Sequence, residues 1–253
     1  MPRVTISDLA KLKRDGRKWA MLTSYDQISA EIIDEAGIPV ILVGDSAGNN
    51  FYGYENTIPV SLNEMISSTR AVVESSKRAL VVADFPFGSY ESSPEQALET
   101  GVRFFKEAKP QAVKLEGGAK VIPQIKKLIA AGIPVMGHLG LTPQSVHALG
   151  GFKVQGRGDS GIEIKEDAKA LEAAGVFALV LELVPAELAS EISQELSIPV
   201  IGIGAGAGCD AQVLVWTDLV GLTKEPPKLA KADRKSTRLN SSHTDISRMP
   251  SSA

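Results

Sequence analysis

Four acidic side chains directly follow short apolar runs in this sequence: Asp45, Asp84, Glu116 and Glu182. Burying a carboxylate is costly unless it is paired or bound to a cation, and Lys114 is the only basic residue within these stretches. A hard divalent cation such as Mg²⁺ takes oxygen ligands and keeps positions open for water or substrate. The pattern therefore predicts a metal site with Asp45 as a ligand.

Each acid taken alone has a second interpretation. A single carboxylate after a strand is often the N-cap of a helix or one half of a loop salt bridge. The metal-site hypothesis therefore depends on the four acids coming together. That requires a fold that brings the ends of several strands to one place.

A recurring sequence pattern marks where helices end and strands begin. Amphipathic segments end at Gly or Ser, often followed by Ile-Pro, and an apolar run comes next, as in Gly37-Ile-Pro39 and Gly132-Ile-Pro134. Glycine suits the left-handed position after a helix, and proline prevents the helix from continuing. Short apolar runs between helices are typical of parallel strands that are buried on both faces.

The number of apolar runs predicts an α/β fold, the (β/α)8 or TIM barrel, with an extra N-terminal helix near residues 5–15. The runs cover residues 18–23, 40–44, 79–83, 112–115, 134–137, 177–181, 199–203 and 218–222. In such a barrel, residues just past the strands converge on one mouth, which carries the chemistry. An open doubly wound sheet is the alternative, because counting strands does not prove closure.

Composition argues against several classes of protein. The chain has 253 residues, of which 43% are hydrophobic, and a formal net charge of −3. Its scattered basic residues argue against a nucleic-acid partner, and no apolar run approaches the ~20 residues of a membrane span. The single cysteine, Cys209, rules out an internal disulfide framework, and the N-terminus lacks a secretory signal pattern. These features predict a cytoplasmic protein with a small-molecule ligand and no membrane partner.

The sequence divides into a barrel domain, residues 1–232, and a segment of different character, residues 233–253. After residue 222 no amphipathic pattern follows that could cover strand eight, so the barrel is expected to lack its final C-terminal helix. Residues 233–253 have few apolar positions and no helical or strand period. They resemble an in-frame translation of a sequencing-library adapter, which predicts a non-native, disordered tail.

Three further features have weaker interpretations. His138 follows the fifth apolar run, where a lone histidine is either a structural hydrogen-bonding group or a catalyst. The glycine-rich residues 202–208 lack the acid expected of a dinucleotide site, and they are interpreted as a tight mouth loop that approaches a ligand. Cys209 has no activating base nearby in sequence, so it is predicted to be a small packed residue.

Several motifs, taken in order, resemble the ketopantoate hydroxymethyltransferase family from about residue 3 to residue 225. They are Val43-Gly-Asp-Ser46, Val82-Ala-Asp-Phe-Pro-Phe-Gly-Ser-Tyr90, Val113-Lys-Leu-Glu-Gly-Gly118, Pro134-Val-Met-Gly-His-Leu-Gly140, Thr142-Pro-Gln144, Gly150-Gly-Phe-Lys-Val-Gln-Gly156 and Gly202-Ile-Gly-Ala-Gly206 with Cys209-Asp210. The resemblance implies a Mg²⁺-dependent barrel enzyme of pantothenate and coenzyme A biosynthesis. Such an enzyme transfers a hydroxymethyl group from 5,10-methylenetetrahydrofolate to 3-methyl-2-oxobutanoate, giving 2-dehydropantoate. It also implies a cytoplasmic homo-oligomer, typically a decamer.

The resemblance also implies roles for individual residues. The metal-ligand positions are Asp45, Asp84 and Glu116. The positions that hold the keto acid are Asp45, Ser46, Asp84 and Lys114. Glu182 matches the proton acceptor, which fits the chemistry, because forming a carbon nucleophile requires a base to remove the proton next to the ketone while Mg²⁺ withdraws charge.

Two alternatives stay open at this point. Another Mg²⁺-dependent keto-acid barrel, such as a phosphoenolpyruvate mutase or an isocitrate-lyase-like enzyme, would use similar carboxylates, and a reactive mouth cysteine would favour the lyase. A noncatalytic barrel that binds keto acid or metal is the second alternative. Such a binder would have no need of Glu182 as a base.

Overall fold

The computed structural model describes residues 2–230, which form a closed barrel of eight parallel strands. The strands are β1 (Trp19–Thr23), β2 (Val40–Val43), β3 (Leu80–Asp84), β4 (Ala112–Glu116), β5 (Val135–Gly140), β6 (Ala178–Glu182), β7 (Val200–Ile203) and β8 (Ala211–Leu214). Each strand pairs with the next in sequence, and β1 pairs with β8 to close the barrel. The predicted barrel is confirmed, and the open-sheet alternative is wrong.

Helices surround the barrel, and the first four begin at side chains that cap them. They are α1 (Ile6–Arg14), α2 (Gln27–Glu35), α3 (Leu62–Ser75), α4 (Pro94–Glu107), α5 (Ile122–Ala130), α6 (Val146–Leu149), α7 (Ser160–Ala174), α8 (Ala186–Glu195) and α9 (Trp216–Leu219). Ser61 and Glu64 form a capping box at α3, and Ser93 caps α4 ahead of a proline at its first turn. Within residues 2–230, no helix is long and apolar enough to cross a membrane.

Helix α1 closes the end of the barrel opposite the mouth and confirms the predicted extra N-terminal helix. Its Leu9 is fully buried and packs into the barrel interior with apolar side chains from the strands. Among them are Met21, Val40, Leu80 and Met136. This half of the interior is therefore a packed apolar core, which leaves only the mouth for polar chemistry.

The eighth strand lies earlier in the chain than predicted. It is β8, residues 211–214, and the predicted strand at 218–222 is wrong because residues 216–219 form α9. Residues 204–210 connect β7 to β8 without a helix and run directly along α8. A side chain on Gly206 would collide with Ala186, and a Cβ on Gly208 would lie 2.6 Å from the Cβ of Ser190. These two glycines therefore let the chain pack closely against α8, and the approach of residues 202–208 to a ligand stays a prediction.

The predictions for the C-terminus lie outside the described residues. These are the end of the barrel domain at 231–232 and the adapter-derived, disordered tail at 233–253. Within residues 2–230, α9 is the only helix after β8.

The carboxylate of Asp34 joins α2 to the segment that leads into β3. It is 6% exposed and accepts hydrogen bonds from the backbone N–H groups of Lys77, Arg78 and Ala79 at 2.9, 3.0 and 2.6 Å. Burial by itself raises the pKa of Asp34, but these donors outweigh it and hold the pKa below its usual value.

Replacing Asp34 with asparagine is expected to lower the free energy of unfolding by about 1–3 kcal/mol at neutral pH, because hydrogen bonds to a charged acceptor are lost. The folded-state pKa lies below the unfolded one, so this stability is present above about pH 4 and is lost as the pH falls through the folded-state pKa. Urea unfolding at neutral and acidic pH would measure it. Glu35→Gln, at an exposed acid on the same helix, is the control; equal effects of the two changes would contradict the prediction.

Candidate active site at the mouth of the barrel

The two-residue period of the strands places ionisable groups inside the barrel. In β4, Ala112 belongs to the interior core, whereas Val113 and Leu115 pack outward against the helices. Lys114 and Glu116 share the inward face with Ala112. The register sets Lys114 beside Asp84 of β3 and Glu116 beside a histidine of β5, His138. The last inward layer before the mouth is therefore charged.

A cavity of about 740 Å³ opens above this layer and brings together every site residue predicted from the sequence. Its lining includes Asp45, Ser46, Asp84, Lys114, Glu116 and Glu182. His138 lines it too. Most of these ionisable side chains are almost fully buried, but that of Glu182 is 16% exposed. Glu182 is therefore the acid of this group most open to a ligand.

Lys114 is the cation at the centre of the carboxylates. Its Nζ lies 2.6 Å from Oδ1 of Asp84 and 3.9 Å from Oε1 of Glu116. Burial opposes the charged form of Lys114, but Asp84 and Glu116 outweigh it and raise the lysine pKa. The pKa of Asp45 is raised well above its usual value by burial and by repulsion from Asp84 and Glu116. One lysine therefore compensates this group of acids only in part.

His138 connects a buried acid to the exposed one. Its Nδ1 lies 3.3 Å from Oε1 of Glu116, and its Nε2 lies 3.2 Å from Oε2 of Glu182. Burial and the charge of Lys114 act to lower the pKa of His138, but the two glutamates raise it to about 9. The sequence left the role of His138 open, and the structure places it in the cavity against the predicted base.

The acids at the mouth fit a magnesium ion in their chemistry. Among residues 2–230, no group of three or more His, Cys, Asp or Glu side chains is arranged to hold a metal. Mg²⁺, however, commonly uses one or two protein carboxylates and takes its other ligands from water and substrate. The backbone N–H of Asp45 donates to Oδ2 of Asp84 at 3.3 Å, and the charge of Asp84 helps to raise the pKa of Asp45, so the two carboxyl groups repel each other. A divalent cation bound between them would offset this repulsion. The set of three ligands that includes Glu116 stays a prediction.

Sequence reasoning missed a tyrosine that holds Ser46. The hydroxyl of Tyr25 lies 2.9 Å from Oγ of Ser46. Burial raises the pKa of Tyr25 to about 12 although Ser46 acts in the opposite direction. The phenol therefore keeps its proton and orients the serine hydroxyl. The available signal was its position, two residues past β1, where a strand of a barrel meets the mouth.

The backbone around Glu182 has an unusual conformation. Leu183, the next residue, has φ +47°, a region that non-glycine residues rarely adopt. Backbone hydrogen bonds hold it there: its N–H donates to Ile203 and its carbonyl accepts from Gln155, both at 2.9 Å. Gly140 pairs with Glu182 across the sheet, and a side chain there would collide with the Glu182 carbonyl. The strand end that carries Glu182 is thus held in place from both sides.

Cys209 lies just before β8, at the end of the barrel opposite the mouth, and is 1% exposed. Burial raises its pKa to about 11, so the thiol stays protonated. The prediction of a packed cysteine is confirmed. A reactive mouth cysteine would have favoured the lyase alternative, and the chain's single cysteine does not supply one.

The closed barrel and its charged mouth define a (β/α)8 barrel, a class of protein whose enzymes carry their active sites at the C-terminal ends of the strands. A family model described as ketopantoate hydroxymethyltransferase matches residues 3–242, and the chain belongs to this family of transferases. A protein of Acidothermus cellulolyticus named 3-methyl-2-oxobutanoate hydroxymethyltransferase is 60% identical over 90% of this chain and 85% of its own length. A Thermobifida fusca protein of the same name is 58% identical over 91% and 82%.

Solved structures share the fold at low sequence identity. A phosphonopyruvate hydrolase in complex with oxalate and Mg²⁺ has a TM-score of 0.65 and 13% identity over 87% of this chain and 84% of its own. A 2,3-dimethylmalate lyase of the phosphoenolpyruvate mutase/isocitrate lyase superfamily has a TM-score of 0.64 and 16% identity over 87% and 83%. At this identity, the likeness shows the fold alone.

Proposed function

We propose that this chain transfers a hydroxymethyl group from 5,10-methylenetetrahydrofolate to 3-methyl-2-oxobutanoate, giving 2-dehydropantoate for pantothenate biosynthesis, with Mg²⁺ as cofactor. The names of relatives about 60% identical to it support the keto-acid substrate. The observation that carries the proposal is the arrangement of Glu182, a partly exposed carboxylate, in a cavity where Asp45, Asp84 and Glu116 are buried around Lys114. The proposal includes a cytoplasmic homo-oligomer, a decamer as in the family.

The cavity offers groups that match both ends of an α-keto acid. Lys114 supplies positive charge for the substrate carboxylate, and the Ser46 hydroxyl, oriented by Tyr25, supplies a hydrogen-bond donor. Asp45 and Asp84, with Glu116 as the third predicted ligand, would hold Mg²⁺. When bound, the ion supplies Lewis acidity that makes the hydrogen next to the ketone easier to remove.

In the proposed reaction, Glu182 takes the proton from C3 of the keto acid. The C3–H bond breaks, Glu182 binds the proton, and a new carbon–carbon bond forms between C3 and the methylene carbon of the folate. Water supplies the hydroxyl oxygen, and both bonds from the methylene carbon to the N5 and N10 nitrogens of the folate break. These nitrogens take up the proton removed from C3 and one proton of the water, and tetrahydrofolate leaves. His138 Nε2 lies 3.2 Å from Oε2 of Glu182, so a protonated His138 would form an ion pair with that carboxylate. A noncatalytic binding protein would not need a base to remove this proton.

NMR-detected exchange of the C3 hydrogen for deuterium in D₂O would test the proposal on the full chain. We expect exchange with Mg²⁺ and loss of exchange after chelation by EDTA, because the proton leaves readily only when charge is withdrawn from the ketone. Adding 5,10-methylenetetrahydrofolate should then yield 2-dehydropantoate. A folded chain that binds Mg²⁺ and keto acid but shows no exchange, even with the folate present, would instead be the noncatalytic barrel.

A further inference from the structure

Gln144 lies in the loop after β5 and reaches three other strand ends. It is 6% exposed, so its polar atoms need partners inside the protein. Its side-chain Nε2 donates to Oδ2 of Asp45 at 2.9 Å and to the carbonyl of Phe85 at 2.8 Å. Its backbone N–H donates to Oε2 of Glu116 at 3.0 Å. One residue thus contacts the chain just past β2 and β3 and at the last residue of β4.

Tyr90 fixes the direction of the Gln144 amide. The Tyr90 hydroxyl donates to Oε1 of Gln144 at 2.7 Å, and the backbone N–H of Glu116 points to the same hydroxyl at 3.3 Å. Turning the amide over would set its oxygen against the Asp45 carboxylate and the Phe85 carbonyl, which are both acceptors. Tyr90 is itself 2% exposed, so its ring is held by packing.

We infer that Gln144 is a positioning residue that holds Asp45 and Glu116, two of the proposed magnesium ligands, in the orientation needed to bind the ion. The inference rests on the proposed function, since the ion belongs to that reaction. The amide oxygen of Gln144 bonds to Tyr90, so Gln144 acts through the carboxylates and is not itself a ligand. Groups that orient metal ligands typically change metal affinity by about 10–100-fold.

Binding of Mn²⁺ to the full chain, measured by calorimetry and by the electron paramagnetic resonance signal of the ion, would test the inference without any assay of activity. Gln144→Met keeps the length of the side chain and removes its amide donor to Asp45, whereas the backbone N–H that donates to Glu116 remains. We expect the dissociation constant for Mn²⁺ to rise by about 10–100-fold in this variant. Gln124→Met is the matched control, because Gln124 is equally buried at 6% but has no hydrogen bond to either carboxylate. Its Mn²⁺ affinity should be unchanged.

Tyr90→Phe provides a second variant, which decides the question if Gln144→Met fails to fold by circular dichroism. It leaves Gln144 in place but removes the hydroxyl that holds the amide oxygen, so the amide is held less firmly against Asp45 and Mn²⁺ affinity should fall in the same direction by a smaller factor. If Gln144→Met folds and its affinity for Mn²⁺ is unchanged, the inference is wrong. If Gln144→Met does not fold, unchanged affinity in Tyr90→Phe overturns the inference instead. Either result leaves the proposed function standing. If the unsubstituted chain binds no Mn²⁺, the metal site of the proposed function fails together with the inference.

Discussion

Replacing Glu182 with glutamine is expected to lower both C3 deuterium exchange and hydroxymethyl transfer by about 10²–10⁴-fold, the usual contribution of a positioned base. Glutamine has nearly the same shape and keeps a hydrogen-bonding oxygen, but it cannot accept the proton. Glu182 is partly exposed and Lys114 does not pair with it, so binding of the keto acid should change far less than the rate. NMR of the keto acid in D₂O, with substrate affinity measured separately, would show this split.

The matched control for Glu182→Gln is Glu187→Gln, the same chemical change at an exposed acid in the first turn of α8. This control should exchange deuterium at the rate of the unsubstituted chain. If Glu182→Gln did the same while binding the keto acid normally, another group would be the base, and His138 is the nearest titratable neighbour.

Replacing Lys114 with methionine is expected to lower the free energy of unfolding by about 3–5 kcal/mol, because it leaves buried acids without their cation. Asp84 lies 2.6 Å from the lysine nitrogen and is 2% exposed, so water cannot take the place of the lost charge. For a chain of this size, the melting temperature should fall by about 6–20 °C. Substrate binding should weaken as well, since the proposed partner of the keto-acid carboxylate is gone.

The cost of Lys114→Met should grow with pH. Burial already raises the pKa of Asp84 despite the opposing effect of Lys114, and removing the lysine raises that pKa further. The folded variant then binds more protons than its unfolded chain, so its stability falls as the pH rises. Denaturant unfolding at several pH values would measure this trend. Lys126→Met, at an exposed lysine of α5, is the control; a pH-independent loss equal to that of the control would contradict the prediction.

Much of the architecture could be predicted from local patterns. The Gly-Ile-Pro segments mark the boundary between helix and strand because of local backbone sterics. This boundary can therefore be predicted without knowing the fold. Seven of the eight predicted strands lie at or within a few residues of those observed, and α1 lies within the predicted 5–15. Once a barrel is predicted, its geometry brings strand-end acids to one mouth, so Asp45, Asp84, Glu116 and Glu182 could be grouped from the sequence alone.

The position of β8 depended on tertiary packing. A local pattern assumes that a helix separates consecutive parallel strands, but Gly206 and Gly208 let the chain pass directly along α8. The strand therefore follows β7 after only residues 204–210. Whether a glycine-rich segment approaches a ligand or a neighbouring helix is decided by what lies beside it in space, and the sequence does not contain that information.

The sequence by itself determined the barrel, its extra helix and the acids of the mouth, because these follow from periodicity and from the geometry of parallel strands. Only the tertiary structure decided which polar groups those acids touch. His138 lies between Glu116 and Glu182, and Gln144 between Asp45 and Glu116, through contacts of residues far apart in the chain. Such contacts depend on strand register and loop path, which come from packing of the whole barrel.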